Sequence, residues 1–187
     1  MADNRPSADE EATRRKSCRN FRNSLLGLPG ILALAVLALD QLTKWLVVLA
    51  WPVPYEDVFV VIPGVLRLVH WRNTGAAWGI FASHTWLLTL ISAVACLALA
   101  LGFDSFTDRK PMRALPAGVL LGGIAGNLID RAFYPQGVID FISLPHYPAF
   151  NVADSAITCS IIFIIACEFL RGRKATKDDS LSTSTRS

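Results

Sequence analysis

Charge is scarce in this sequence. Asp, Glu, Lys and Arg make up 18% of its 187 residues, against about 25% in an average soluble domain. Soluble globular, disordered and coiled-coil classes are poor fits to that balance. Cysteine is also scarce. Cys18 lies in a basic stretch, and Cys96, Cys159 and Cys167 lie inside apolar runs, where a thiol behaves as a small hydrophobe. No disulfide framework is expected. The three histidines, His70, His84 and His146, have no metal-ligand spacing, and no glycine loop is suited to cradle phosphate. The expectation is therefore no metal and no cofactor. The net charge of +3 comes from basic residues gathered near the termini, so a nucleic-acid partner is not indicated.

Long apolar runs are what the chain does have. They are Leu25–Trp51, Thr85–Phe103, the short glycine-rich Ala114–Ile129, and Val152–Leu170. A run of about 18 or more apolar residues is long enough to cross the roughly 30 Å of bilayer hydrocarbon. The reading is an all-α membrane protein with four transmembrane helices, spanning about 28–50, 85–103, 114–130 and 153–170. They form a membrane domain over 25–171, between a disordered basic cytoplasmic tail (1–24) and a cytoplasmic tail (172–187). Ala33-Leu34-Ala35 has the look of a signal-peptide cleavage site, but it sits in mid-run, so the first run is read as an uncleaved span.

Basic residues set the orientation. Of the 18 Lys and Arg, six lie before the first run, three between the second and third, and five after the fourth. Both termini are thus expected in the cytoplasm. All five tryptophans (Trp45, Trp51, Trp71, Trp78, Trp86) fall between the late first run and the early second run, which suits an aromatic belt at the outer interface. The first outer loop, Pro52–His84, carries Val58–Ile62 and Val65–Trp71 around Pro63-Gly64. These β-branched runs and their turn signal predict a small extracytoplasmic β-sheet on the membrane surface.

Polar residues inside such runs are costly and therefore functional candidates. Asp40 and Lys44 are i, i+4 and share a helix face: they either organise a polar cavity or simply neutralise each other. Asn127, Asp130 and Arg131 point together into the bundle, or else Asp130-Arg131 is an ordinary interfacial cap. Gly118, Gly122 and Gly126 repeat every four residues, a signal for close helix packing. With Arg113 and Arg171 at the inner boundary, Asp130 and Asp154 lie at similar depth, each 17 residues or roughly 26 Å away. Asp40 lies deeper, about 16 Å before Trp51. Asp140 sits in the apolar stretch Gly137–Ile142, and Asp154 opens the fourth run, sharing a face with Asn151. Two carboxylates brought close cannot both ionise easily, and sharing one proton suits them to activate water and polarise a carbonyl. The alternative is an N-cap at Asp154 and a solvated loop carboxylate at Asp140.

Five blocks carry a family resemblance: Asp40–Lys44, Asn73–Gly79, Gly122–Arg131, Val138–Phe141 and Phe150–Ser155. In this order across residues 40–155, the chain resembles bacterial lipoprotein signal peptidase (signal peptidase II), a membrane aspartyl endopeptidase family. The resemblance implies that Asp140 and Asp154 are catalytic and that Asn73, Asn127, Arg131 and Asn151 line the substrate site. Asp40, Lys44 and Asp130 would support it structurally. The implied substrate is a prolipoprotein whose cysteine bears a diacylglyceryl group, cleaved just before that cysteine at the outer face of the bacterial inner membrane. The implied partners are such substrates and membrane lipid, with the chain a monomer. Trp78 stands where the family usually has phenylalanine, and Tyr147 where tryptophan is common. Residues 1–24 and 172–187 match no motif.

Two other classes compete. A small proton- or ion-coupled carrier would use the same carboxylates as a relay, with polar sites across the bilayer and often repeated halves. A structural membrane subunit would leave the polar cluster without a purpose. The topology is testable. A reporter active only outside the cytoplasm should work when fused after Ser83 and after Pro145 and stay silent at Ser187. Activity at Ser187 would refute both termini being inside.

Overall fold

The computed structural model describes residues 25–75, 81, 84–107 and 111–184, with backbone alone at 111 and from 171 onward. The basic N-terminal tail with Cys18, and Trp78 with its neighbours in the Asn73–Gly79 block, lie outside the described residues. Three long helices and a shorter one form a bundle: α1 (Leu28–Ala50), α2 (Thr85–Leu101), α4 (Ala114–Phe133) and α5 (Val152–Ser184). A one-turn helix, α3 (Phe103–Thr107), and a 3-10 turn (Pro111–Arg113) connect α2 to α4. Three strands, β1 (Val58–Ile62), β2 (Leu66–Asn73) and β3 (Val138–Ser143), sit at one end.

The third helix is longer than the expected 114–130, continuing to Phe133, and the second is shorter, ending at Leu101. The segment beyond 171 was expected to be a tail, yet α5 continues to Ser184. Helix formation there needs no apolar face, so hydropathy gave no sign of it.

Helix α4 is central and packs against α1, α2 and α5. Its glycines allow this. A Cβ at Gly118 would lie 2.2 Å from the carbonyl oxygen of Pro29, and one at Gly122 would lie 2.4 Å from that of Ala33. At Gly123 the same atom would fall 2.7 Å from the Ala153 oxygen on α5. The buried stripe of α1 (Pro29, Ala33, Asp40, Lys44, Val47) faces this surface. Large apolar side chains point the other way: Leu34, Leu42 and Leu49 on α1, Leu90 and Leu97 on α2, and Ile162 and Ile165 on α5 are exposed. Small and polar groups are inside, because lipid gives helices no hydrophobic reason to associate and leaves close packing and hydrogen bonds to do so. Helix α1 and the Val152–Leu170 part of α5 are each long and apolar enough to cross a membrane, while the 17-residue α2 is a shorter apolar helix.

The sheet is antiparallel in the order β1-β2-β3. Placing it wholly in the first outer loop was incomplete, since β3 comes from the segment after α4. It aligns Asn73 with Val138, Trp71 with Asp140 and Arg67 with Ser143. Five of the six β3 residues are buried, so no apolar–polar alternation marks them as a strand. Gly137 opens β3 at φ +91°, and a Cβ there would lie 2.3 Å from the Asn73 carbonyl oxygen. The far edge of β3 is closed by Phe150, whose carbonyl accepts from Phe141 and Ile142 and whose N–H donates to Ile142. His70, buried in β2, donates from Nδ1 to the Trp51 carbonyl at 2.6 Å and so fastens the sheet to the end of α1.

The glycine contacts generate a stability prediction. Gly122→Val should lower the thermal stability of the detergent-purified protein by about 1–3 kcal/mol, the usual cost of overpacking. Unchanged melting would mean that the close α1–α4 approach is not a tight constraint.

Candidate active site

The nine candidate residues arrive on five elements. Helix α1 carries Asp40 and Lys44, β2 ends in Asn73, and α4 carries Asn127, Asp130 and Arg131. Asp140 is the third residue of β3, and Asn151 and Asp154 open α5. All meet at the sheet end of the bundle.

The opening of α5 is built locally. Asn151 Oδ1 accepts the Asp154 N–H at 2.9 Å, and Asp154 Oδ2 accepts the Asn151 N–H at 3.2 Å. This reciprocal pair has the logic of a capping box. Asp154 therefore helps cap its helix, and its other oxygen remains available. Asp154 Oδ1 accepts from Asn127 Nδ2 at 2.7 Å.

Asp140 is held from two sides. Asn73 Nδ2 donates to Oδ2 at 2.9 Å, and Asn151 Nδ2 donates to Oδ1 at 2.8 Å. Asn151 thus touches both aspartates, one through its side chain and one through its backbone. It is fully buried and also lies 3.2 Å from Asn127 Oδ1. Asp140 is no solvated loop group: it is 3% exposed. Burial, and then the negative charge of Asp154, push its carboxyl up to about 7, against the opposing hydrogen bonds from Asn73 and Asn151.

Both aspartates line one cavity of about 160 Å³, together with Asn73, Gly75, Arg131, Tyr147, Phe150 and Thr158. That volume admits several waters or a short piece of extended peptide backbone. Arg131 contributes its guanidinium, and Nη2 donates to the Gly75 carbonyl at 3.4 Å. Its Nε is buried with no protein partner. Tyr147 sits at the cavity rim, half exposed.

Behind the cavity lies a second cluster. Lys44 Nζ is 2.8 Å from Asp40 Oδ2, 2.8 Å from Asp130 Oδ2 and 3.0 Å from Asn127 Oδ1. The Asp40–Lys44 pair is therefore a triad. Asp130 pairs with Lys44 and is 1% exposed, so it is not an interfacial cap. Gln41 was not singled out as a site residue, yet its Nε2 lies 3.2 Å from Asp40 Oδ2 and 3.1 Å from Asp130 Oδ1. Its place beside Asp40 in the first motif block was the available signal. Among the described residues, no group of three or more His, Cys, Asp or Glu side chains is arranged to hold a metal ion.

The arrangement as a whole is a small cavity lined by two carboxylates, the Asn73 amide and one guanidinium, with Val138, Phe150 and Ile157 among its apolar wall. It brings two carboxyls that lie far apart in the chain to one cavity. Known proteins resemble the chain in sequence and in fold. A family model described as signal peptidase (SPase) II matches residues 32–170. Lipoprotein signal peptidases of Listeria monocytogenes serotypes 4b and 4a are 36% and 35% identical over 148 residues, covering 77% of this chain and 94% of theirs. A bacterial membrane enzyme solved by the in meso method at 2.3 Å resolution superposes with a TM-score of 0.70 at 31% identity, covering 78% of this chain and 90% of that one. A second, solved by the same method at 1.9 Å, gives 0.67 at 32%, covering 77% and 94%. With its motifs in order, its helices around a polar cavity and these matches across most of its length, the chain belongs to the signal peptidase II family.

Proposed function

We propose that this protein is a membrane aspartyl endopeptidase that removes signal peptides from diacylglyceryl-modified prolipoproteins, with Asp140 and Asp154 as its catalytic dyad. The observation that carries the reading is the pair of carboxylates on one cavity wall, joined through Asn151, with Asp140 pushed up to about 7. Two such groups share a proton below about pH 7 because their charges oppose each other.

The chemistry follows from that shared proton. Asp140 holds it, and ionised Asp154, beside the Arg131 cation, takes a proton from water. The water oxygen bonds to the scissile carbonyl carbon while Asp140 polarises the carbonyl oxygen. The tetrahedral adduct collapses as the C–N bond breaks, the nitrogen leaving with a proton from the dyad. Asn73 and Asn151 keep Asp140 in place, and Asn127 keeps Asp154 in place. Arg131 and Asn73 flank the space for the substrate backbone.

The location matches the task. We infer four spans with both termini cytoplasmic, a topology that would put the sheet and the cavity at the outer face of a bacterial inner membrane. The domain covers 25–171, and the protein acts as a monomer. The signal helix and acyl chains of the substrate stay in lipid while its scissile bond reaches water. The carrier reading gains nothing from the geometry: among the described residues the buried charged groups, Asp40, Lys44, Asp130 and Asp140, gather at the sheet end of the bundle, and the partly exposed Arg113–Glu168 pair (2.7 Å) is separate from them.

Two tests follow. Asp140→Asn and Asp154→Asn should each abolish cleavage of a lipidated prolipoprotein peptide while leaving a folded, substrate-binding protein. General acid–base assistance is worth about 10²–10⁴-fold, and because the pair acts as a unit the double variant should be little worse than either single one. More than about a tenth of normal turnover in either would remove that residue from the dyad.

The second test uses pH. Between about pH 4 and pH 7 the folded protein keeps a proton on Asp140 that the unfolded chain releases. The folded state then binds more protons, so this group makes stability fall as pH rises, by at most ~1.4 kcal/mol per pH unit. Asp140→Asn should flatten that slope in melting experiments, and wild-type turnover should decline above about pH 7. An unchanged slope would mean that Asp140 is not a raised acid.

A further inference from the structure

Two backbone N–H groups behind the cavity have unusual partners. Ala153 donates to Asp40 Oδ1 at 2.9 Å, and Ile139 donates to Asp130 Oδ2 at 3.2 Å. Ala153 immediately precedes Asp154, and Ile139 immediately precedes Asp140. Both N–H groups would otherwise be orphans. Ala153 lies in the first turn of α5, where no intrahelical acceptor exists. Ile139 sits opposite Arg72 and turns its N–H away from β2, toward Asp130 on α4.

The two gripping carboxylates are themselves joined. Lys44 Nζ lies 2.8 Å from Asp40 Oδ2 and 2.8 Å from Asp130 Oδ2. Its third N–H donates to Asn127 Oδ1 at 3.0 Å. That contact decides which way the Asn127 amide faces: with its oxygen on the ammonium, its Nδ2 is turned to Asp154 Oδ1, 2.7 Å away. One ammonium thus connects, through three acceptors, to the main chain before each aspartate and to the side chain of one of them.

We propose that Asp40, Lys44 and Asp130 form a single buried clamp that sets the separation and orientation of Asp140 and Asp154, and so are positioning residues for the hydrolysis. The inference rests on the dyad reading above. A purely structural role would not need ions here. Well-packed apolar side chains hold helices together as well as a buried ion cluster or better, but they supply no acceptors for Ala153 and Ile139. A planar peptide held at its N–H fixes the Cα of Ala153 or Ile139 itself, and the regular dihedrals of α5 and β3 carry that placement on to the aspartate that follows.

The clamp also bears on the dyad through charge. Around the two aspartates among the described residues are Asp40 and Lys44 from α1, Asp130 and Arg131 from α4, Tyr147 from the segment after β3, and each aspartate from the other, while β2 offers the neutral Asn73. Taking away Asp130 leaves the Lys44 charge less compensated and favours an ionised dyad. Removal of the Lys44 charge does the reverse.

The test uses the full chain in detergent with a lipidated prolipoprotein peptide, measuring kcat, KM and pH dependence beside folded yield. Asp130→Asn should lower kcat about 10–100-fold, the scale of a small misplacement of reacting groups, with KM little changed. Its alkaline limb should move to lower pH, and that of Lys44→Met to higher pH. Asp130→Glu keeps the charge but not the grip, so its limb should stay while kcat falls. Wild-type kcat in Asp130→Asn, or activity that tracks folded yield with unmoved limbs, overturns the clamp. Failure of Asp130→Asn, Asp130→Glu and Lys44→Met all to fold overturns it as well, because the residues would then be scaffold. Asp140→Asn and Asp154→Asn run in parallel: turnover in either means that the dyad reading has failed, whereas loss in both with wild-type behaviour at Asp130 means that the clamp alone has failed.

Discussion

The site depends on one ammonium group buried inside the bundle. Lys44 is 2% exposed and has three N–H donors and three acceptors: Asp40, Asp130 and Asn127. An ion in such a place is costly unless every donor is met and the opposite charge is close. Two carboxylates and an amide oxygen meet that condition, and they come from two helices. The cost of burial thereby fixes the relative height and rotation of α1 and α4. Gly126 belongs to the same arrangement, because a Cβ there would lie 2.5 Å from Asp40 Oδ2. The glycine stripe and the ion cluster are one device: the stripe brings the backbones together, and the close approach places the charges.

From that cluster the structure extends outward in layers. Asp40 and Asp130 hold the main chain at Ala153 and Ile139. Asn127 and Asn151, both buried, form an amide layer between the ions and the cavity. Asp140 and Asp154 face the cavity itself. Asparagine suits the middle layer because its amide offers an acceptor on one side and donors on the other, passing orientation from a charged layer to an acidic one without adding charge. The sheet closes the top. β2 brings Asn73 to Asp140, and β3 delivers Asp140 with both faces of the strand buried. A carboxyl pushed up to about 7 follows from this seclusion, and acid–base work near neutral pH requires such a carboxyl.

Much of this was legible in the sequence where local rules apply. Apolar runs gave α1, α2, α4 and the start of α5 within a few residues, but not the end of α5 at Ser184, because hydropathy marks only the apolar part of a helix. The spacing of Gly118, Gly122 and Gly126 gave a packing face, since residues four apart share one side of a helix. Asn151 and Asp154, three apart, gave a shared helix face, while their reciprocal capping of α5 emerged only in the fold. The motif blocks named Asp40, Lys44, Asn73, Asn127, Asp130, Arg131, Asn151, Asp140 and Asp154 as a set.

What the sequence by itself determined were the features carried by neighbours along the chain: hydropathy, helix faces, caps and the identity of the polar residues. The tertiary structure alone decided their partnerships. It made the Asp40–Lys44 pair a triad by bringing Asp130 from 90 positions away, added β3 to the sheet, and placed Gln41 between two carboxylates. It also set Asp140 and Asp154 on the same cavity. Hydrogen bonds and ion pairs act over about 3 Å, a distance that only folding imposes on residues so far apart in sequence.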